Sequence, residues 1–241
     1  VGNVYRYIQE EIVIPDYTVA DDKVEEEIGK FAAAMAATLK QLDTIRQKAL
    51  DEMGPEEAAI FEAHMQIAQD PSLSDGIKSL VESSHTNVVA ATAQTIETFA
   101  NIFLGMEDPY MRERGADIKD IGDRLMRNML GMNPRGLSHI SGEVILVAQD
   151  LAPSDTASLD KNVVKGIVTA AGGPTSHAAI MARTLEIPAV MGVGDIESFV
   201  DGDKAVVLGT DGIVEMNPSD ADWDEYTNQA AAFQEELKRL R

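Results

Sequence analysis

The sequence has 241 residues, 44% of them hydrophobic, a net charge of −21 and no cysteine. That is room for one large domain or two small ones, with enough apolar side chain to bury a core. Disulfides and thiolate metal sites are excluded, and no apolar run approaches the roughly 18 residues of a membrane helix.

A surface this acidic repels phosphate backbones, which makes nucleic acid a poor partner and a basic protein a better one. Acid also simply keeps a protein soluble, and composition alone does not separate the two uses. No signal-peptide pattern is visible, and with zero cysteines a cytoplasmic location is expected. The chain begins at Val1 instead of Met, and Val-Gly-Asn-Val-Tyr-Arg-Tyr already reads like the inside of a strand. A fragment trimmed at the front is therefore expected.

Residues 1–14 alternate and close on Ile12-Val13-Ile14, which predicts a strand-like opening. From about Thr18 to Gly131 the pattern is helical. Val24, Ile28, Phe31, Met35, Leu39, Leu42, Ile45 and Leu50 recur at three- to five-residue steps, enough for one long amphipathic helix. Gly54-Pro55 breaks it, and a second helix from Glu56 carries Ile60, Phe61, His64, Ile67 and Ala68. Asp70-Pro71 separates a third, with Ile77, Leu80 and Val81. Val88 to Leu104 reads as a fourth. After Glu107-Asp108-Pro109 comes a fifth, with Met111, Ile118, Ile121, Leu125, Met129 and Leu130. Five helices on short loops make an α-helical bundle.

Beyond Gly131 the texture changes to strands alternating with helices. Glu143–Ala148 is a buried-strand run, Pro153–Leu159 a short helix with Ser154 as its N-cap, and Val163–Thr169 a second strand. Ala189–Met191 is a third, Ala205–Leu208 a fourth, and Asp211-Gly212 a hairpin turn before Ile213–Met216. That alternation implies an α/β domain. Ala221 to Arg241 reads as a polar amphipathic linker helix. The fold expected is thus α/β plus α: an α/β domain from residues 1–17 and 132–219, interrupted by an all-α bundle at 18–131 and followed by a linker helix at 220–241.

The most informative stretch is Gly172-Gly-Pro-Thr-Ser-His-Ala-Ala-Ile-Met-Ala-Arg183. Gly172 and Gly173 let the backbone approach a ligand, Pro174 fixes the next turn, and Thr175 and Ser176 can cap a helix beginning near His177. Ala178, Ile180, Met181 and Leu185 give that helix its spacing and Pro188 stops it. An imidazole at a helix N-terminus lies beside N–H groups and a positive dipole end, which steady a dianionic phosphoryl group. Of the other histidines, His64 falls on the apolar side of its helix, where a core or rim position is favoured over catalysis. His85 and His139 lie near segment ends and carry no signal. The eleven methionines read as packing, and no metal constellation stands out.

That stretch, with Ile187-Pro-Ala-Val-Met-Gly192, closely resembles the phosphohistidine motif of the phosphoenolpyruvate-utilising enzymes: enzyme I of the sugar phosphotransferase system, pyruvate phosphate dikinase and phosphoenolpyruvate synthase. Ala59-Ile-Phe-Glu-Ala-His64, Arg114-Gly-Ala-Asp-Ile-Lys-Asp-Ile-Gly-Asp-Arg-Leu-Met-Arg-Asn-Met-Leu-Gly131 and Glu143-Val-Ile-Leu-Val-Ala-Gln-Asp-Leu-Ala-Pro-Ser-Asp155 are similar to the enzyme I branch. The resemblance covers nearly the whole chain and ends at the linker helix.

The resemblance implies that His177 takes a phosphoryl group from phosphoenolpyruvate and passes it to a histidine of the carrier protein HPr. It implies that Thr156 orients the imidazole and that Gly172, Gly173, Thr175 and Ser176 form the phosphate loop. It makes the helical domain the HPr docking surface, around Glu56, Glu57, Glu62, His64, Asp70 and Arg114. A C-terminal barrel would bind phosphoenolpyruvate and magnesium, so no cofactor is expected within these residues. The fragment alone would exchange phosphate only with HPr. Ala170 stands at a position that is often acidic in relatives, and Arg183 is expected to brace the domain.

Two other readings stay open. One is the swivelling phosphohistidine domain of a dikinase, which usually lacks the helical insertion. The other is a non-catalytic interaction module with a vestigial His177.

Overall fold

A computed structural model describes residues 1–133, 136–137 and 140–240; His139 lies outside the described residues. The chain divides into two compact units, Val1–Gln9 with Gly136–Arg241, and Glu10–Arg135.

The second unit is helical: α1 (Val24–Glu52), α2 (Pro55–Ala68), α3 (Pro71–Ser84), α4 (Val88–Leu104) and α5 (Pro109–Leu130). Each expected breaker turns out to be a starter. Pro55, Pro71 and Pro109 are themselves the first helical residues, where a missing N–H costs nothing. Asp70 and Asp108 cap the helices behind their prolines by accepting the N–H of Ser72 (2.8 Å) and Tyr110 (2.9 Å). The core joins Phe31 and Ala34 of α1, Ile77 and Val81 of α3, Ala91 and Ile96 of α4 and Leu125 of α5.

The opening strand is shorter than residues 1–14. β1 covers Gly2–Tyr7 only, and Val13 and Ile14 are exposed in irregular chain. Residues 10–17 are held by the helical unit. The Arg127 guanidinium donates to the Glu10 carbonyl (2.6 Å), the Asn87 amide to the carbonyls of Pro15 (2.8 Å) and Tyr17 (3.1 Å), and the Tyr17 hydroxyl to Glu27 (3.0 Å). Those bonds satisfy the backbone that a strand would have satisfied by pairing.

The first unit holds β1, β2 (Val144–Ala148), α6 (Pro153–Thr156), β3 (Val164–Thr169), α7 (His177–Thr184), β4 (Ala189–Met191), β5 (Lys204–Leu208), β6 (Ile213–Met216) and α8 (Asp220–Leu240). The strands form one sheet in the order β4-β3-β2-β1-β5-β6. Strands β1 to β4 are parallel; β5 and β6 run antiparallel to their neighbours. Continuous apolar runs such as Val144–Ala148 suit a sheet covered on both faces, and all five of those residues are buried. The α6 helix is shorter than Pro153–Leu159 and its N-cap is Ala152, not Ser154. The Asp155 N–H that a capping hydroxyl would take goes to the Ala152 carbonyl (3.0 Å), and the Asp155 carboxylate accepts the Ala152 N–H in return (3.0 Å).

No helix among the described residues is long and apolar enough to cross a membrane.

Candidate active site

Parallel strands deliver their following segments to one end of the sheet, which is where α/β folds build ligand sites. Here β1 ends at Tyr7, β2 leads into α6, and β3 leads through the glycine loop into α7. The short α6 packs against α7.

The loop from Ala170 to Ser176 is fixed by backbone bonds to the strands on both sides. Ala170 and Ala171 donate to the carbonyls of Ala148 (3.0 Å) and Gln149 (2.9 Å), and Val193 and Gly194 donate to those of Thr169 (3.1 Å) and Ala170 (3.0 Å). Gly172 has φ +94°, and a Cβ on Gly192 would stand 3.0 Å from its carbonyl oxygen. The first requires a residue at ease with positive φ; the second leaves no room for a side chain where the β4 exit abuts the loop. Ala170 is buried in the sheet core.

Ser176 is the N-cap of α7. Its hydroxyl accepts the Ala179 N–H (3.3 Å) and donates to the Gly173 carbonyl (2.8 Å), which cinches the loop onto the helix. His177 is the first residue of the helix and half-buried. The first turn of a helix presents more N–H groups than its cap takes up, and its dipole end is positive. Arg183 reaches back to donate to the Pro174 carbonyl (2.7 Å), bracing the loop from outside. Thr175 is exposed on the loop.

Thr156 is buried, and its hydroxyl donates to the Pro153 carbonyl (2.8 Å) within α6. With its proton committed there, the oxygen can only accept from a further partner. An imidazole N–H is a suitable donor, and accepting it selects the tautomer whose other nitrogen carries the lone pair.

The helical unit holds the other residues expected at a site. On α2, Glu56 and Glu62 are exposed and Glu57 is half-buried; Asp70 is exposed as the cap of α3. His64 is fully buried on the inner face of α2 and does not reach the surface. Its Nε2 lies 3.1 Å from Asp117 Oδ1 and its Nδ1 3.9 Å from Asp120 Oδ2, both on α5, while its ring meets Phe61 edge-on. Arg114, one turn before Asp117, lies 3.9 Å from that carboxylate, stacks on the Tyr110 ring and donates to its hydroxyl (2.9 Å).

Sequence reasoning missed the exposed apolar residues near the α4–α5 turn. Ile102, Met106, Tyr110 and Met111 are all exposed at the α4–α5 turn. Clustering of large side chains across Gly105 and Pro109 was a signal, but only Met111 was read, as an apolar position of the fifth helix. His85 caps α3 in the left-handed region (φ 51°).

Two family models match: the N-terminal region of phosphoenolpyruvate-utilising enzymes at residues 1–114, and their mobile domain at 140–212. A phosphoenolpyruvate-protein phosphotransferase of Streptococcus equinus is 42% identical over 97% of this chain, and one of Geobacillus stearothermophilus is 40% identical over the same share. The chain spans 40% of the length of each of these relatives. Among solved structures, the solution structure of an enzyme I protein matches with TM-score 0.82 and 40% identity, over 97% of this chain and 94% of that one. An N-terminal domain of enzyme 1-nitrogen matches in fold, with TM-score 0.62 and 24% identity.

Proposed function

Since the chain belongs to the enzyme I family of phosphoenolpyruvate-utilising enzymes, we propose that His177 is a reversible phosphoryl relay between phosphoenolpyruvate and a histidine of the carrier protein HPr. The whole protein would then be a phosphoenolpyruvate-protein phosphotransferase, acting in the cytoplasm at the first step of sugar uptake. The observation that carries this reading is the placement of His177: the first residue of a capped helix, behind a rigid glycine loop, at the carboxyl ends of parallel strands.

In the exchange with HPr, the lone pair of a neutral His177 nitrogen attacks phosphorus as the nitrogen–phosphorus bond on the carrier breaks. No water enters, so the transfer potential is kept. The transition state is loose and anionic, and prepositioned donors of the loop and the α7 first turn suit it. Thr156 orients the ring, Ser176 shapes the loop, Gly172 and Gly173 let the phosphoryl group approach, and Thr175 lines its mouth. Magnesium belongs with the phosphoenolpyruvate-binding domain of the whole protein.

Docking falls to the helical unit. Glu56, Glu57, Glu62 and Asp70 offer negative charge to a basic carrier, which raises encounter rate and orients it. Ile102, Met106, Tyr110 and Met111 are exposed apolar side chains near the α4–α5 turn, and Tyr110 stacks with Arg114; a protein interface needs such groups at its centre. His64 supports this surface from beneath by pairing α2 with Asp117, so its share in docking is indirect.

The test is to mix the chain with phosphorylated HPr and read intact mass, alongside His177→Ala. An acid-labile gain of one phosphoryl group on the parent only is the expected result. No gain on the parent overturns the reading and favours a dikinase-type swivelling domain.

A further inference from the structure

We infer that Asp155 is a positioning residue for His177, acting through Thr156; the inference rests on the proposed relay. Asp155 is fully buried and one residue before Thr156. Its Oδ1 accepts the Tyr7 hydroxyl at 2.7 Å, and its Oδ2 accepts the Ala152 N–H at 3.0 Å and the Gln9 amide at 3.2 Å. Only the Ala152 bond is local. The other two donors are Tyr7 at the end of β1 and Gln9 two residues beyond it, 148 and 146 residues away in sequence.

A four-residue helix has no stability of its own, because nucleation costs more than its few hydrogen bonds return. The α6 helix therefore stands where its anchors put it. Asp155 ties it to the exit of β1, and the Thr156 hydroxyl, donating to Pro153, is set by the same turn. On its other side α6 packs against α7, which opens with His177. Three consecutive strand ends are thus linked: β1 through Tyr7 and Gln9, β2 through α6, and β3 through α7.

Filling this space would not call for a carboxylate. A buried one costs desolvation that an apolar side chain avoids. What these converging donors add is direction, fixing α6 to within the tolerance of a hydrogen bond. Misplacing a catalytic group by about 1 Å costs up to about 100-fold in rate. On this inference Asp155 acts by setting where the Thr156 hydroxyl lies, the acceptor proposed for the imidazole N–H.

The experiment compares Asp155→Asn, Tyr7→Phe, Thr156→Val and the Asp155→Asn/Thr156→Val pair in phosphoryl uptake from phosphorylated HPr. In Asp155→Asn an amide NH2 can face the Ala152 N–H. The expected result is a rate at saturating HPr reduced about tenfold, with Kd for HPr unchanged. Tyr7→Phe, which conserves volume, should lower the rate a few-fold and serves if Asp155→Asn does not fold. In the Thr156→Val background Asp155→Asn should add nothing, because both act through one contact. Parent-like rates in Asp155→Asn and Tyr7→Phe, or effects that multiply with Thr156→Val, overturn the inference. If the parent itself takes up no phosphoryl group, the relay reading fails instead. The ring nitrogen shifts of His177 by NMR then decide this inference alone: a tautomer change in Asp155→Asn supports it, and identical spectra overturn it.

Discussion

The two units differ in how much charge they bury: among the described residues the α/β unit buries one charged side chain, Asp155, beside its hydroxyls, and the helical unit buries several. Around the glycine loop of the α/β unit, Thr156, Thr169 and Ser176 are neutral hydroxyls that each donate to a backbone carbonyl. Beneath the surfaces of the helical unit lie Glu27, Asp117, Asp120, Arg124 and Arg127, with the imidazole of His64 among them. On the proposed relay, a loop that receives a doubly negative phosphoryl group gains from hydroxyl groups and rigid geometry at its edge. In the bundle, buried charge is met within helices, as by Lys30 on Glu27 and Asp123 on Arg127, and across them by Gln41 accepting from Arg124. The first region should thus answer to sterics, and the second to pH as well.

The largest effect expected is at the loop. His177→Ala should abolish phosphoryl uptake from phosphorylated HPr, while circular dichroism and the melting temperature stay near the parent's. Uptake by that variant would remove the chemistry from the α/β unit altogether.

Over-packing separates the units. A Cβ on Gly166 in β3 would lie 2.8 Å from Ile145 Cδ1 and 2.9 Å from Val207 Cγ2, and one on Gly122 in α5 2.6 Å from Ile96 Cγ2. Gly166→Ala and Gly122→Ala should each cost about 1–3 kcal/mol. Hydrogen exchange should show faster opening in the α/β unit for the first and in the helical unit for the second. Faster exchange spread over both units in either variant would mean that they do not open independently.

Glu27 sharpens the contrast in pH response. Burial pushes its carboxyl up, but the Lys30 ammonium, the Val88 N–H and the Tyr17 hydroxyl outweigh that and hold it below the ordinary value of 4.5. A carboxyl whose pKa is lower folded than unfolded stabilises the fold fully above the unfolded value. That contribution is lost as pH falls through the folded value. Glu27→Gln should cost about 1–3 kcal/mol at pH 7. The gap from the parent should shrink below pH 4.5, as read by melting temperature from pH 7 to 3. A gap that does not change with pH would mean that charge contributes nothing there.

The smallest effect is expected from Arg183→Ala. It removes one exposed hydrogen bond to Pro174 and should slow phosphoryl uptake only a few-fold, with a melting temperature close to the parent's. A loss as large as that of His177→Ala would give Arg183 a direct part in the chemistry.

Local patterns carried much of this in the sequence. Val88–Leu104 is helical over the span its apolar spacing marks, and the capped helix starts at His177 where Thr175 and Ser176 announce it. Such features depend on neighbours within four residues, and those are written side by side. Ile12-Val13-Ile14 looked like strand because β-branched residues favour one. Arg127 and Asn87, more than 70 residues away, supply the hydrogen bonds that hold that segment instead. At the site, the loop was legible from its motif. The reach of Asp155 to Tyr7 was not, because Ser-Asp-Thr after a proline is ordinary capping sequence.

By itself, then, the sequence determined most of the helices and strands, which histidine opens the helix after the glycine loop, and that a helical and an α/β texture are joined. Periodicity, proline and capping act over single turns, so one chain segment contains all their causes. The tertiary structure alone decided that the first strand sits inside the sheet, between β2 and the antiparallel β5. It also decided that His64 is sealed between two aspartates of another helix, and that a buried carboxylate joins the first strand to α6. Those outcomes come from burial and pairing between residues far apart in sequence, and no local pattern encodes which distant partner will arrive.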